Sequence, residues 1–251
     1  MRRIWISKRL SWVCVLFVFC VTLTASRAQG EKQVNAAGST GDRVIAIDVV
    51  LLPDAKMLDF SKAANAKLRS NYPAGYTLGG DQASHISLVH RYVREKDLPS
   101  VEQAVAKMAA KERPLEWPLT ATGYGSGKWT GLAITVIGVE NTPDVSRLGA
   151  EIIKAIEPYT VAGGTAEAFS TSKELPKIEP EVVAYVAKFV PNASGENFKP
   201  HVTVGVAHED FVDKLKAEPF EKFTFKAANI AIYQLGSFGT AQKKLWEWKP
   251  K

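Results

Sequence analysis

The chain has 251 residues, of which 46% are hydrophobic and 23% are charged, the proportions of an ordinary globular protein. They exclude a wholly disordered chain, and the length suits one large domain or two smaller lobes. The formal net charge is +6, but the first 28 residues carry five basic residues and no acidic one. Without them the chain is almost neutral, which excludes the broad basic surface that a long nucleic acid requires.

Residues 1–28 have the pattern of a secretory signal peptide. Four basic residues in MRRIWISKRL precede an apolar run from Leu10 to about Ala25, and Ser26 and Ala28 occupy the small-residue positions of a cleavage site. The run is short for a bilayer span, which needs roughly 20 apolar residues, and an uncleaved signal anchor is the alternative. We expect cleavage after Ala28, a secreted or periplasmic protein, and no stable membrane association after cleavage.

The signal peptide also decides how the cysteines are interpreted. Cys14 and Cys20 both lie within it, so the mature chain would have no disulfide, thiol nucleophile or cysteine metal site. Residues 29–42 are small and polar and are expected to form a flexible leader. Residues 43–251 are then expected to form the folded domain, since no proline-rich or charged linker divides them.

The folded part alternates between strand and helix patterns. In chain order these are a strand at 44–52, a helix at 54–71, a strand at 84–93, a helix at 98–112, strands at 117–124 and 129–139 with a turn at GSGK, and a helix at 145–159. Then come a long loop at 160–178, a helix at 179–190, a strand at 201–207, a helix at 208–220, and a hairpin-like pair of strands at 223–236 and 244–250. The two similar series predict one bilobal α+β domain with an internal duplication.

Two tetrapeptides, HISL at 85–88 and HVTV at 201–204, share one pattern of histidine, hydrophobe, hydroxyl residue and hydrophobe. Residues i and i+2 of a strand point to the same face, so His85 shares a face with Ser87 and His201 with Thr203. A given histidine fits the pattern by chance about one time in thirty, and two of the four histidines fit it. Two imidazoles that face one cleft suit acid–base chemistry near neutral pH.

At these motifs the chain resembles the two-histidine (2H) phosphoesterase superfamily, and within it the 2′-5′ RNA ligase and cyclic phosphodiesterase family. That family is defined by two His-x-Ser/Thr-x motifs, one in each lobe. FKPHVTVG at 198–205 is similar to its second motif, and IAIYQLGSFGTAQKKLWEW is similar to its closing strand, turn and strand. The resemblance implies an α+β fold in which a duplicated, bilobal pair of antiparallel sheets lines a central cleft, with helices on the outer faces.

The resemblance also implies a function. His85 and His201 would be the catalytic pair, and Ser87 and Thr203 would bind the substrate phosphate. The expected activity is hydrolysis of a 2′,3′-cyclic phosphate, or a related cyclic phosphodiester, of RNA or a nucleotide by a monomeric enzyme that needs no cofactor. No HxH, HExxH or aspartate-rich cluster suggests a metal. The alternative is a non-catalytic binding module for a nucleotide or a phosphorylated small ligand, and the motifs leave open which histidine is the acid.

Four further residues have side chains of the types that such a site uses, and two of them, Arg91 and Tyr233, could contact the substrate. On an ideal strand Arg91 shares the face of His85 and could contact an anionic substrate, although a solvated strand end explains it as well. Tyr233 could stack on a base or pack within the sheet. His90 is five positions from His85, which places it on the other face and predicts a structural role. His208 begins a helix and is expected at the surface.

Overall fold

The computed structural model describes residues 42–79, 82–129 and 131–250 of the chain. The predicted signal peptide, both cysteines and nearly all of the predicted leader lie outside these residues. The described residues fall within a single unit, Ala37–Lys251. No helix among them is long and apolar enough to cross a membrane.

The described residues form nine strands and five α-helices. The strands are β1 (Val44–Pro53), β2 (Ile86–Arg94), β3 (Leu119–Trp129), β4 (Leu132–Val139), β5 (Thr160–Val161), β6 (His201–His208), β7 (Phe223–Phe225), β8 (Ala227–Leu235) and β9 (Ala241–Glu247). The helices are α1 (Ala55–Asn71), α2 (Leu98–Glu112), α3 (Pro143–Ile156), α4 (Pro180–Ala193) and α5 (Glu209–Ala217). Local chemistry fixes several of these bounds. Asp54 and Thr142 cap α1 and α3 by accepting a hydrogen bond from a first-turn amide, which satisfies a donor that a helix start leaves unpaired.

The strands form one antiparallel sheet in the order β7-β3-β4-β6-β2-β1-β8-β9, with β5 paired to β2. Its two halves, β7-β3-β4-β6 and β2-β1-β8-β9, are joined between β6 and β2 by the pair Ile86 and Val202. The predicted α+β class with antiparallel halves is therefore confirmed. Each half draws strands from both the early and the late parts of the chain, so the halves interleave along the sequence.

The main hydrophobic core lies between the outer face of the sheet and four of the helices. Buried side chains of α1, α2, α3 and α5 pack there against strand residues such as Ile47, Val89 and Val204. A smaller apolar cluster lies on the other face, where α4 packs over β2. In it the hydroxyl of Tyr92 donates a hydrogen bond to the carbonyl of Val183 at 2.9 Å. This second cluster closes one end of the inner face of the sheet.

Two predictions about strand limits were wrong. The glycines of GSGK do not turn the chain, because β3 continues through them to Trp129 and pairs with β4 along this length. The segment 223–236 is not one strand either. Its first residues form β7, which pairs with β3 in one half of the sheet, whereas β8 pairs with β1 in the other half. The first error concerns where a hairpin turns and the second concerns which strands pair, and in both cases tertiary context overrides the local pattern.

Candidate active site

The two His-x-Ser/Thr motifs lie side by side where the halves of the sheet meet. Ile86 and Val202 are paired in antiparallel orientation, so the same register sets each motif histidine beside the hydroxyl residue of the other motif. Ile86 and Val202 point into the main core and are fully buried, so their neighbours face the opposite side of the sheet. The four residues on this inner face are His85, Ser87, His201 and Thr203. The two histidines are then diagonal neighbours, which are typically about 7–8 Å apart.

Both imidazoles are held by the same backbone contact. Nδ1 of His85 lies 2.7 Å from the carbonyl oxygen of Ala83, and Nδ1 of His201 lies 2.7 Å from that of Lys199. A carbonyl oxygen can only accept a hydrogen bond, so Nδ1 carries the hydrogen in both rings. Nε2 is therefore the nitrogen that is left to take up or release a proton on the inner face.

A buried carboxylate, Asp48 of β1, lies at the centre of the first motif. Its Oδ2 atom accepts a hydrogen bond from the hydroxyl of Ser87 at 2.7 Å. The Nε2 atoms of His90 and His85 lie 3.0 and 3.3 Å from the same oxygen. Asp48 was not among the predicted site residues, although it is the one charged residue in the apolar run VIAIDVVLL. A lone acid in a buried strand is a signal for a functional site because burying an unpaired charge is costly.

A β-bulge explains why His90 belongs to this cluster. Asp48 is paired with His90 and Val49 with Val89, but Val50 is paired with Ser87. The extra residue in β2 inverts the alternation of side chains, so His90 and Ser87 lie on the same face although they are three positions apart. The prediction that His90 faces away from the site was therefore wrong.

The same bulge moves Arg91 away from the site. Arg91 is paired with Ile47, whose side chain is buried in the main core on the outer face. The acidic residue that acts on Arg91 is Glu157, at the end of α3, and partial burial lowers the pKa of the guanidinium. The inference that Arg91 shares the face of His85 was wrong, because that inference assumed an ideal strand.

Tyr233 lies on the inner face, on β8, directly beside the buried carboxylate of β1. Asp48 and Tyr233 are partners in the pairing of β1 with β8, and only 6% of Tyr233 is exposed. Tyr233 also lines a polar groove of about 590 Å³, whose other lining residues are Ser170, Thr171, Ser172, Lys173, Glu174, Gln242, Lys243 and Lys244. The groove therefore begins one strand away from Asp48.

The surroundings of the two motif histidines shift their pKa values in opposite directions. Burial tends to lower the pKa of His85, but its hydrogen bond to Asp48 and the negative charge there raise it above the ordinary 6.5. Burial lowers the pKa of His201, and the positive charges of His85 and His90 add to this, against the effect of its bond to the carbonyl of Lys199. These opposite shifts favour the protonated form of His85 relative to that of His201.

The charge of Asp48 depends on the same histidines. Its complete burial would raise its pKa, but the positive charge of His90 and the hydrogen bonds from His85 and His90 outweigh this and lower the pKa from 3.8 to about 2. Asp48 is therefore ionised throughout the neutral range. A buried carboxylate in this form requires compensating charge nearby, which the histidines provide.

Aromatic side chains of α4 cover His90. The ring of Phe189 stacks on the imidazole with centroids 4.5 Å apart, and Tyr185 meets it edge-on at 5.6 Å. Nδ1 of His90 is buried and has no hydrogen-bond partner among the described residues. His208, in contrast, is exposed at the start of α5, as the sequence predicts. Within the described ranges, no group of three or more metal-ligating side chains is arranged to hold an ion.

The chain is similar to several solved structures. It is 16% identical to TT0787 of Thermus thermophilus, with a TM-score of 0.47 and coverage of 81% of this chain and 97% of that one. It is 12% identical to apo LigT of E. coli, with a TM-score of 0.39 and coverage of 82% of this chain and 96% of that one. It is 13% identical to Usb1 of Kluyveromyces marxianus, with a TM-score of 0.37 and coverage of 83% of this chain and 100% of that one. No protein-family profile and no curated protein sequence matches the chain. At these identities and TM-scores, the roles of individual residues rest on the geometry of this chain.

Proposed function

We propose that the protein is a phosphoesterase that hydrolyses a 2′,3′-cyclic phosphate, or a related cyclic phosphodiester, of a nucleotide or an RNA end. The observation that carries the proposal is the matched pair His85 and His201. Both rings are anchored at Nδ1 and direct Nε2 to one face, yet their pKa values are shifted apart. Two histidines whose pKa values are separated in this way can accept one proton and donate another at the same pH.

The proposed step balances with these two residues and water. Nε2 of neutral His201 accepts a proton from water as the water oxygen forms a bond to phosphorus. The bond between phosphorus and one ring ester oxygen breaks, and that oxygen takes the proton from Nε2 of His85. The product is a phosphate monoester beside a free hydroxyl, and one proton passed from His201 to His85 through solvent restores the starting state.

The inner face offers groups for the rest of the substrate. Thr203 is half-buried and makes no side-chain hydrogen bond within the described part of the chain, so its hydroxyl is free to donate to a non-bridging phosphate oxygen. We place the sugar or base toward Tyr233 and its groove, which lie on the same face. A small ligand of this kind does not require a long basic surface.

A panel of 2′,3′-cyclic nucleotides and RNA oligonucleotides with cyclic phosphate ends tests the proposal, with products followed by ³¹P NMR. The wild-type protein should open the ring of at least one substrate. His85→Asn and His201→Asn should each lose about 10²- to 10⁴-fold in turnover, whereas His208→Asn, which changes an exposed histidine, should match the wild type. Saturable binding without turnover would instead identify the non-catalytic binding module.

Residues 1–28 support a separate proposal, that the protein is exported and cleaved after Ala28. The intact mass of protein recovered from the periplasm or the medium of the producing cells should correspond to a chain that begins at Gln29. A mass that retains residues 1–28, on protein recovered with the membranes, would identify an uncleaved signal anchor.

A further inference from the structure

One carboxylate oxygen of Asp48, Oδ2, contacts polar side chains in and beside the first motif. Oδ2 is approached by Ser87, His90 and His85 at 2.7 to 3.3 Å, whereas Oδ1 is buried and has no hydrogen-bond partner among the residues described. The side chain is completely buried in the middle of β1. A carboxylate in such a place is retained at a cost in stability unless charged neighbours offset it.

The second motif lacks a comparable carboxylate. His201 is anchored at Nδ1 in the same way as His85. Among the described residues, however, no Asp or Glu forms an ion pair with His201, whereas His85 has Asp48 at 3.3 Å from its Nε2. The two rings are thus equivalent in their backbone anchor and different in the group that faces the reactive nitrogen. Asp48 is the source of that difference.

Ser87 differs from Thr203 for the same reason. A serine hydroxyl has one hydrogen to donate, and that of Ser87 goes to Asp48 at 2.7 Å. Nε2 of His90 approaches the same hydroxyl oxygen at 3.1 Å, which fixes it from a second side. While these bonds persist, Ser87 has no hydrogen to offer a phosphate oxygen, whereas Thr203 has.

We propose that Asp48 is a positioning residue that keeps a proton on Nε2 of His85 and holds the hydroxyl of Ser87. Ser87 then acts through Asp48 and not through the substrate phosphate, and Thr203 is the hydroxyl that binds the phosphate. This rests on the proposed hydrolysis, in which the proton on Nε2 of His85 passes to the leaving ester oxygen. Asp48 exchanges no proton in that step, because it remains a carboxylate while His85 changes from imidazolium to imidazole.

Four secondary-structure elements contribute titratable side chains around Asp48 and His85. Titratable side chains that face Asp48 and His85 are His90 on β2, His201 on β6, Tyr185 on α4 and Tyr233 on β8. Of these, the histidines carry positive charge when protonated. The tyrosines are neutral near pH 7, because their ordinary pKa is 10 and burial raises it further. Asp48 is therefore the negative charge that acts on His85 from these elements.

The first test needs no substrate, so its failure can be distinguished from a failure of the proposed function. The ring protons of the four histidines are titrated by NMR in the wild type and in Asp48→Asn, with assignments from single His→Asn variants. In the wild type, His85 should titrate above His201. In Asp48→Asn the pKa of His85 should fall.

Two results would overturn the assignment of Asp48. One is a wild-type titration in which His85 ionises below His201, and this comparison holds even if Asp48→Asn does not fold. The other is a folded Asp48→Asn protein in which His85 titrates as in the wild type.

The second test separates the two hydroxyls by steady-state kinetics. Thr203→Val should raise KM, and the inhibition constant of inorganic phosphate, by about tenfold, as expected for a lost hydrogen bond to an anion. Ser87→Ala should leave both within about twofold and lower kcat. Equal increases in KM for the two variants would show that Ser87 binds the phosphate directly and would overturn this part of the proposal.

Discussion

Nε2 of His85 lies 3.3 Å from Oδ2 of Asp48. This contact distinguishes His85 from His201, although the two rings have the same backbone anchor. Each ring is held at Nδ1 by a backbone carbonyl two residues earlier, at 2.7 Å in both cases. The rings therefore differ in the charges around them. Although burial opposes it, Asp48 raises the pKa of His85, whereas burial and neighbouring positive charge lower that of His201. The pH dependence of the site follows from this division.

The pH profile of kcat/KM should be bell-shaped, with its two limbs on either side of pH 6.5. The proposed hydrolysis requires neutral His201, whose pKa is lowered from 6.5, and protonated His85, whose pKa is raised from 6.5. The acid limb therefore falls below pH 6.5 and the alkaline limb above it. Initial rates at constant ionic strength give the profile, and in Asp48→Asn the alkaline limb should move to lower pH. A wild-type alkaline limb below pH 6.5 would contradict the assignment of His85 as the acid.

Asp48 should make the fold sensitive to acid in a defined interval. Its folded pKa is about 2 and its ordinary value is 3.8, so its stabilising effect is complete above the ordinary value and is lost as pH falls toward 2. The difference corresponds to about 2 kcal/mol. Urea unfolding at a series of pH values should show this loss in the wild type and a smaller loss in Asp48→Asn. Asp59→Asn, which changes an exposed carboxylate on α1, is the control and should change the free energy of unfolding by no more than about 0.5 kcal/mol.

Asn65 should be important for stability because it satisfies three buried backbone groups. Its amide donates to the carbonyls of Val204 at 2.8 Å and Tyr76 at 3.1 Å, and its oxygen accepts from the amide of Leu78 at 3.0 Å. Each buried group left unpaired costs about 1–3 kcal/mol, so Asn65→Ala should lose about 3 kcal/mol or more in the free energy of unfolding.

The control for Asn65 is Ser70→Ala on the same helix. Ser70 is exposed and donates to the carbonyl of Lys67, so its loss should change the free energy of unfolding by no more than about 0.5 kcal/mol. Chemical denaturation of both variants provides the comparison. Similar midpoints for Asn65→Ala and Ser70→Ala would show that water replaces the Asn65 bonds.

Gly205 of β6 should not tolerate a side chain. Its φ is +146°, and a Cβ atom there would lie 3.0 Å from atoms of both Asn65 and Leu68. Gly205→Ala should therefore lose about 1–3 kcal/mol from backbone strain alone. Gly127→Ala in β3 is the matched control, because a Cβ there meets no atom within 4 Å. Thermal unfolding should separate the two variants, and equal melting temperatures would refute the strain at Gly205.

The sequence predicts which side chains of the two motifs are buried, because hydrophobic and polar residues alternate within each tetrapeptide. In HVTV the structure buries Val202 and Val204 and leaves His201 and Thr203 partly exposed on the inner face. The helix at 98–112 was predicted with the bounds that α2 has, since a proline in its first turn and a run of strong helix formers mark it. These features depend on neighbours along the chain, which a sequence displays directly.

The residues around Asp48 could not be predicted in the same way. Their positions depend on the register between β1 and β2 and on the extra residue of β2 opposite Val49. A shift of one residue moves every later side chain to the other face. This shift places His90 in the site and Arg91 on the opposite face of the sheet. Asp48 itself carried a signal as a charge within an apolar strand, but only the folded sheet shows which side chains it meets.

Ile86 and Val202 form the one residue pair that connects β2 to β6 in the described ladder. Each motif imidazole belongs to a different half of the sheet, so the gap between their Nε2 atoms is set where those halves touch and not within either strand. Two buried aliphatic side chains, which point away from the inner face, therefore set this gap. Removal of one methylene at this contact costs only about 1 kcal/mol in packing, yet it would act on the spacing on which the proposed proton transfers depend.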